Sequence, residues 1–220
     1  MNKKIDFEKL REIQRNLAKK LKFKKINLKK IRYVGACDVS YKEKFARGAI
    51  VLYDLKEEKI IYEKVVEKKI SFPYVPTFLS FREIPVLEEL YKKSPIKPDV
   101  LFIDGQGILH PFKLGLASHF GVLYNIITIG IAKNKLEGEI KKMPEKLMKA
   151  EPVYMDGKIS GFCLKLSKGK KYLWISPGNL ITPREALHFT LKFIKDGCHF
   201  LMKRADILSK KCDLNHLKKF

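Results

Sequence analysis

The sequence predicts an α/β fold built on one mixed sheet, an antiparallel meander extended by parallel strands, with helices on both faces. Three observations point there. The runs IRYVGACDVSY (31–41), GAIVLYDL (48–55) and KIIYEKVVEKKI (59–70) are rich in strand formers and joined by short polar connections, as in a meander. VLFIDG (100–105) and NIITIGIAK (125–133) are apolar almost throughout, as strands covered on both faces are. Helical patterns separate and follow these runs, which supplies material for both faces of the sheet.

Taken in order, residues 5–22 place Ile5, Phe7, Leu10, Ile13, Leu17 and Leu21 near helical spacing, with Lys and Arg between them. After the meander comes SFPYVPTFLSF (71–81), where Pro73 and Pro76 bracket Tyr74 and Val75. Each proline fixes φ and removes a backbone donor, so this stretch is a stiffened loop and not a helix or central strand. Helical spacing resumes over 85–93, with Pro85 suited to a first turn. VLFIDG ends in Asp-Gly, a glycine-bearing loop follows, and 113–124 predicts a helix. Beyond the strand at 125–133, residues 134–150 are charged and irregular and read as an excursion loop. Asp156-Gly157, between the runs 153–155 and 159–166, predicts a hairpin, and KYLWIS (171–176) adds a strand. Thr182, Pro183 and Glu185 form a full helix start, with a stop expected at Gly197 after about Asp196. The basic tail, 203–220, reads as helical. No repeat or low-complexity linker interrupts the order, and 1–220 reads as a single catalytic domain. Strand and helix order of this kind suggests a ribonuclease-H-like arrangement.

Charge bounds the partners. There are 46 Lys+Arg against 24 Asp+Glu, a formal +22. A chain that is Lys-rich as an adaptation to heat usually raises Glu alongside Lys, and here Glu does not keep pace. Such an excess attracts a polyanion, nucleic acid ahead of an anionic membrane. A hydrophobic fraction of 45% argues for a globular fold over disorder. Cys37, Cys163, Cys198 and Cys212 are scattered without a C-x-x-C pair, which argues against a zinc site and for reduced thiols in the cytoplasm. No signal peptide or long apolar span is present, so a cytoplasmic protein with no membrane partner is expected.

Two acids interrupt apolar strands. Asp38 lies within YVGACDVSY, and Asp104 ends VLFIDG at the edge where ligand sites of α/β sheets open. Taken alone, Asp38 fits a solvent-facing strand position and Asp104 an Asp-Gly turn. Glu83, in FRE, is either a helix-start acid or a third site carboxylate; Asp206, in KRADIL, fits a surface ion pair. Lys133 ends IGIAK as a snorkelling strand end or a phosphate contact, and His110 either caps its loop or orients a phosphate. His119 reads as structural. Together the acids carry more weight. Clustered carboxylates on a basic surface repel a phosphate backbone unless a hard divalent cation sits between them, and such cations hydrolyse phosphodiesters. The glycines at 105, 107, 115 and 121 match neither a Walker loop nor a dinucleotide fingerprint, so no nucleotide cofactor is indicated.

GACDVSY, PYVP followed by FRE, the block DGQGILHPFKLGLASHFGVL, and TIGIAK resemble, in order and spacing over roughly residues 5–206, the endonuclease V family of deoxyinosine-specific repair nucleases. The resemblance implies a ribonuclease-H-like fold and Mg²⁺-dependent cleavage, with Mn²⁺ as a substitute. The cut falls at the second phosphodiester bond 3′ to a deaminated base and leaves 3′-hydroxyl and 5′-phosphate ends. It implies Asp38 and Asp104 as metal ligands, Glu83 as the third catalytic acid, and Lys133 and Asp206 as further catalytic residues. Tyr74 falls at the wedge position, with Pro73, Val75, Pro76, Gly105 and His110 also along the DNA. Two residues depart from the family pattern. Gln106 stands where DGHG has His and cannot titrate; Phe112 stands where HPR has Arg and removes a bidentate phosphate donor. The expected partner is DNA containing deoxyinosine or other deaminated bases, bound by a monomer. Inosine-containing RNA, and a non-catalytic damage-binding role, are the competing readings.

Overall fold

The computed structural model describes residues 5–169 and 171–211. The meander is β1 (Tyr33–Lys42), β2 (Phe45–Asp54) and β3 (Lys59–Lys69), antiparallel throughout. β4 (Val100–Asp104) and β5 (Ile127–Ala132) then add in parallel to β1. A two-residue strand β6 (Glu139–Ile140), the hairpin β7 (Ala150–Met155) with β8 (Lys158–Lys165), and β9 (Tyr172–Asn179) complete one nine-stranded sheet. Its order is β3-β2-β1-β4-β5-β9-β8-β7-β6, with β9 antiparallel to β5. This is the predicted ribonuclease-H-like plan, a meander extended by parallel strands.

Alternation along the central strands divides the core. Val34 and Ala36 of β1 and Val100 and Phe102 of β4 face one layer; Cys37 with Leu101 and Ile103 face the other. The first layer holds α4 (Pro183–Leu191) and α5 (Phe200–Lys210), packed through Phe189, Leu201 and Ala205. The second holds α2 (Leu79–Lys93) and α3 (Leu116–Tyr124), packed through Leu87, Leu90 and Phe120. Helices therefore cover both faces, as expected.

Several boundaries differ from the reading of the sequence, each for a physical reason. α1 spans Phe7–Ala18, not 5–22; along its apolar stripe Leu10 and Leu17 are half-buried and Phe7 packs on Phe78, Ile13 stays exposed, and the one residue it buries wholly is the polar Gln14. α2 begins at Leu79 and carries Pro85 in its interior, so Glu83 lies inside the helix and not ahead of it. α3 begins at Leu116, after Gly115 in an extended N-cap. α4 has its capping box at Thr182 and Glu185 but ends at Leu191. Beyond it, Asp196 and Gly197, both at positive φ, turn a short hairpin, β10 (Ile194–Lys195) with β11 (Cys198–His199). The helical tail is α5 alone within the described residues; 212–220, with Cys212, lie outside them.

The glycine-bearing loop after β4 is packed backbone to backbone. A Cβ at Gly107 would sit 2.2 Å from the Pro177 carbonyl oxygen, and one at Gly130 would sit 2.3 Å from the Gly107 nitrogen. This loop is thus pressed onto β5 and β9, and Gly107 N donates to Ser176 Oγ at 2.8 Å. Gly107→Ala should destabilise the protein by about 1–3 kcal/mol, because backbone and not a flexible side chain must move. The midpoint of urea unfolding measures this; an unchanged midpoint would show that the loop has slack.

Candidate active site

Register brings the strand acids together. β1 and β4 run parallel with Cys37 opposite Ile103, so Asp38 and Asp104 come next in line at the carboxyl edge of both strands. By alternation each follows Ala36 and Phe102 onto the face covered by α5. α5 delivers Asp206 to the same point, and one carboxylate oxygen from each of Asp38, Asp104 and Asp206 lies within 4.8 Å of the others. Ser209, one turn beyond Asp206, donates from Oγ to Asp38 Oδ2 at 2.5 Å, and Ser40 Oγ donates to the Ser209 carbonyl at 2.6 Å. Arg204 holds the same helix to β3 through two bonds to Glu63, at 2.6 and 2.7 Å. The acids line a cleft of about 940 Å³.

Lys133 follows β5 and is largely exposed. Its Nζ lies 3.4 Å from Asp104 Oδ2 and 3.3 Å from Asp206 Oδ1, and Lys210 Nζ lies 2.6 Å from Asp206 Oδ1. Burial pushes Asp104 up to about 7; the charge of Asp38 and a hydrogen bond shared with it act in the same direction, and Lys133 opposes them. For Asp206 burial acts upward, but hydrogen bonds from Lys210 and Lys133 outweigh it and hold the carboxyl low. An ammonium already lies across two of the three carboxylates, which shows that the cluster attracts a cation. The donor set is all oxygen, partly buried and converging, and so fits a hard divalent cation.

Glu83 approaches from the other layer. α2 buries it to 5% exposure, and Tyr41 Oη donates to Glu83 Oε1 at 2.6 Å. The Arg82 guanidinium lies 4.3 Å over the Tyr41 ring. Burial is the main cause that pushes Glu83 up to about 8, with the Asp104 and Asp38 charges adding to it against Tyr41 and Arg82. Glu83 is close enough to feel those two acids but stands outside the three-carboxylate cluster.

The PYVP loop projects beside the same edge. Tyr74 is 69% exposed, while the base of the loop is fixed at Thr77, whose φ is +68°. Gln14 Nε2 donates to the Thr77 carbonyl at 2.7 Å, and His110 Nε2 lies 3.1 Å from the same oxygen. Arg11 donates to Thr77 Oγ1 at 3.1 Å, with its guanidinium 4.1 Å from the Phe78 ring and 3.9 Å from the Phe112 ring. Phe112 therefore serves as a platform for Arg11. His110 is buried, its Nδ1 accepts from Phe112 N at 3.2 Å, and burial lowers it to about 4, so it is neutral at pH 7. His119, as expected, is structural: it is buried with Nδ1 2.9 Å from Ser80 Oγ. Between the PYVP loop and the loop after β4 lies a pocket of about 180 Å³, lined by Tyr74, Val75, Pro76, Gln106, Leu116 and Leu136. Gln106 Nε2 donates to Asn134 O at 2.8 Å, which fixes its carboxamide in that wall. Gly105, at φ +146°, turns the chain from Asp104 toward this pocket.

Residues that the sequence reading passed over are those that position others: Tyr41, Ser209, Arg11 and Thr77. Tyr41 and Ser209 had local signals, three residues beyond Asp38 and three beyond Asp206. Arg11 and Thr77 had none, since 66 residues separate them.

A sequence profile described as Endonuclease V matches residues 15–199. A relative from Thermococcus kodakarensis named Endonuclease V is 38% identical over 205 residues, which are 93% of this chain and 91% of that protein. The crystal structure of the endonuclease V from Bacillus subtilis superposes with a TM-score of 0.87 at 26% identity, over 94% of this chain and 91% of that one. The Ciona intestinalis endonuclease V, in complex with a 24mer DNA containing an inosine followed by a ribo-adenosine, superposes with a TM-score of 0.82 at 25% identity, over 96% and 99%.

The Glu83 carboxyl is raised from an ordinary value of 4.5 to about 8, so the folded protein keeps a proton that the unfolded chain releases. Stability of the metal-free protein should therefore fall as pH rises from about 4.5 through 8. Glu83→Gln should remove that loss. Its melting temperature should exceed wild type by about 3 °C or more at pH 9, the shift roughly 1 kcal/mol gives at this size, and converge with wild type near pH 4.5. A difference independent of pH would sink this account.

Proposed function

The chain belongs to the endonuclease V family, and from that premise we propose that it is a divalent-cation-dependent DNA repair endonuclease acting on deoxyinosine. It hydrolyses the second phosphodiester bond 3′ to the lesion and leaves 3′-hydroxyl and 5′-phosphate ends. One observation carries the reading: three carboxylates from β1, β4 and α5 converge within 4.8 Å on the edge of a chain of net charge +22. A purely binding protein has no use for that repulsion at its nucleic-acid face.

Asp38, Asp104 and Asp206 would hold the cation, Mg²⁺ or Mn²⁺ by their chemistry. When bound, such an ion lowers the pKa of water and offsets charge building on the phosphate. Lys133, released from Asp104 and Asp206, turns its ammonium to the phosphate oxygens. Glu83, fixed by Tyr41 and protonated below about pH 8 without a cation, would orient the attacking water, and would take up its proton once the charge of a bound cation has drawn off its own. The Lys and Arg surface seats the backbone.

The lesion base leaves the stack and enters the pocket beside Gln106, where backbone groups read its 6-keto edge. Mispaired or damaged bases unstack at lower cost, which adds selectivity. Tyr74, exposed on a loop stiffened by Pro73 and Pro76 and anchored at Thr77, fills the gap left behind. The fixed loop loses little entropy on binding. The Ciona protein was crystallised on inosine-containing DNA, which supports the same substrate class here.

Incubation of an end-labelled deoxyinosine duplex with Mg²⁺ should give one product, cut at the second bond 3′ to the lesion. Unbroken substrate would leave only the binding role, and faster single-turnover cleavage of matched inosine RNA would move the preference to RNA. Asp104→Ala should keep DNA binding and lose roughly 10²-fold or more in cleavage rate. Tyr74→Ala should weaken lesion binding about tenfold and spare cation binding, as calorimetry without DNA would measure.

A further inference from the structure

Residues 13–37 carry nine Lys and Arg and no carboxylate. Seven of the nine are lysines within residues 19–30, and all seven are exposed. Elsewhere surface lysines are answered by acids: Lys92 by Glu88 and Lys93 by Glu89, each at 2.7 Å, and Lys68 by Glu89 at 3.0 Å. Among the described residues no carboxylate forms an ion pair with any of the seven. The segment is nonetheless fixed. Lys22 N donates to Asn179 Oδ1 at 3.1 Å, its carbonyl accepts from Leu180 N at 2.6 Å, and Ile26 N donates to Glu185 Oε1 at 2.7 Å. Ile26 and Ile31 pack into the core layer of α4 and α5. Every anchor is a backbone group or an apolar side chain, so none of them uses an ammonium group.

These anchors lie on the edge of the sheet opposite the acids. Asn179 ends β9 beside Thr128, at the start of β5. Ile31 and Arg32 lead into the start of β1, where Asp99, just ahead of β4, accepts from Arg32 N and Tyr33 N. Asp38 and Asp104 stand at the carboxyl edge, and from Tyr33 to Asp38 β1 covers about 16 Å. Helices close both faces in between. A duplex seated over the carboxylates therefore does not touch the far edge, and DNA with a persistence length of about 150 bp resists curling around so small a body. A row of unpaired lysines on a fixed, extended backbone suits a chain of phosphates. Phe23 and Leu28, the exposed apolar side chains among them, are too few to anchor a lipid surface. We propose that residues 19–30 form a second polynucleotide seat, for a stretch of undamaged duplex distinct from the one at the carboxylates. The enzyme then holds two stretches at once and passes between them without full release. The inference takes from the function proposed above only that the carboxylate edge also holds DNA.

The test uses the full chain in EDTA, so that nothing is cut. A short deoxyinosine duplex is fixed to beads, the enzyme is bound to it, and a fluorescent undamaged duplex is added. Wild type should retain the second duplex, and raising salt from about 50 to 200 mM should cut that retention roughly a hundredfold, as about four phosphate contacts require. The comparison is one variant carrying Lys24→Gln, Lys25→Gln, Lys29→Gln and Lys30→Gln, whose exposed side chains anchor nothing. It should stay on the beads as wild type does and retain about tenfold less of the second duplex, or lower still. Equal retention by the variant would mean that paired enzyme copies bridge the duplexes, and overturns the proposal. So does a variant that leaves the beads, since the lysines then belong to the first seat. Wild type that captures phosphatidylserine vesicles but no second duplex overturns it in favour of a membrane, and wild type that does not bind the beads overturns both readings. Single-turnover cleavage of a short deoxyinosine duplex with Mg²⁺ should be equal in wild type and variant. No cleavage with lysine-dependent capture intact sinks the nuclease reading alone; normal cleavage without capture sinks the second seat alone.

Discussion

Everything at this site depends on like charges being held close. Two carboxylates under 5 Å apart repel by about 3–4 kcal/mol at an effective dielectric of 20. The parallel pairing of β1 and β4 makes that proximity unavoidable, because the register that packs Ala36 and Phe102 into the core also sets Asp38 beside Asp104. The surroundings answer the repulsion locally. Ser209 donates to Asp38, Lys133 spans Asp104 and Asp206, and burial together with the Asp38 charge raises Asp104 so that it holds its proton more readily. The three carboxylates are thus held by local partners, and on the function proposed above a divalent ion would take the place of Lys133 between them.

The same logic explains why the acid cluster does not conflict with a basic chain. The positive surface acts at long range and brings phosphate to the edge of the sheet. The carboxylates act only at contact, where their field is partly cancelled by Lys133 and Lys210. Attraction and chemistry are separated by distance, so neither needs to be weakened for the other.

Much of this was legible in the sequence, and the boundary is physical. Continuous apolar runs at 100–105 and 125–133 identify buried strands because burial on both faces leaves no other composition, and an acid inside such a run is conspicuous. Thr182 and Glu185 mark a helix start because the bonds involved are local. The helix stop was not legible: Asp196-Gly197 has the chemistry of a helix end and of a hairpin turn alike, and tertiary packing of Phe193 and Phe200 decides between them. Nor was the start of α2, since Pro85 suggests a first turn until tertiary contacts extend the helix past it. The first helix was legible from its apolar spacing, but the polar contacts that fix it, from Gln14 and Arg11 to a residue more than sixty positions away, were not.

Thr77 is where that distant contact has its largest consequence. Its carbonyl receives Gln14 from the first helix and His110 from the loop after β4, and its own backbone adopts a conformation that a β-branched residue avoids. Three stretches far apart in sequence therefore meet at one peptide, and none of them supplies a member of the carboxylate cluster. On the function proposed above, recognition and hydrolysis would rest on separable foundations. Loss of the first helix would then strip the PYVP loop of its anchor and leave the carboxylates where β1, β4 and α5 put them, so on that reading fidelity and turnover could fail independently.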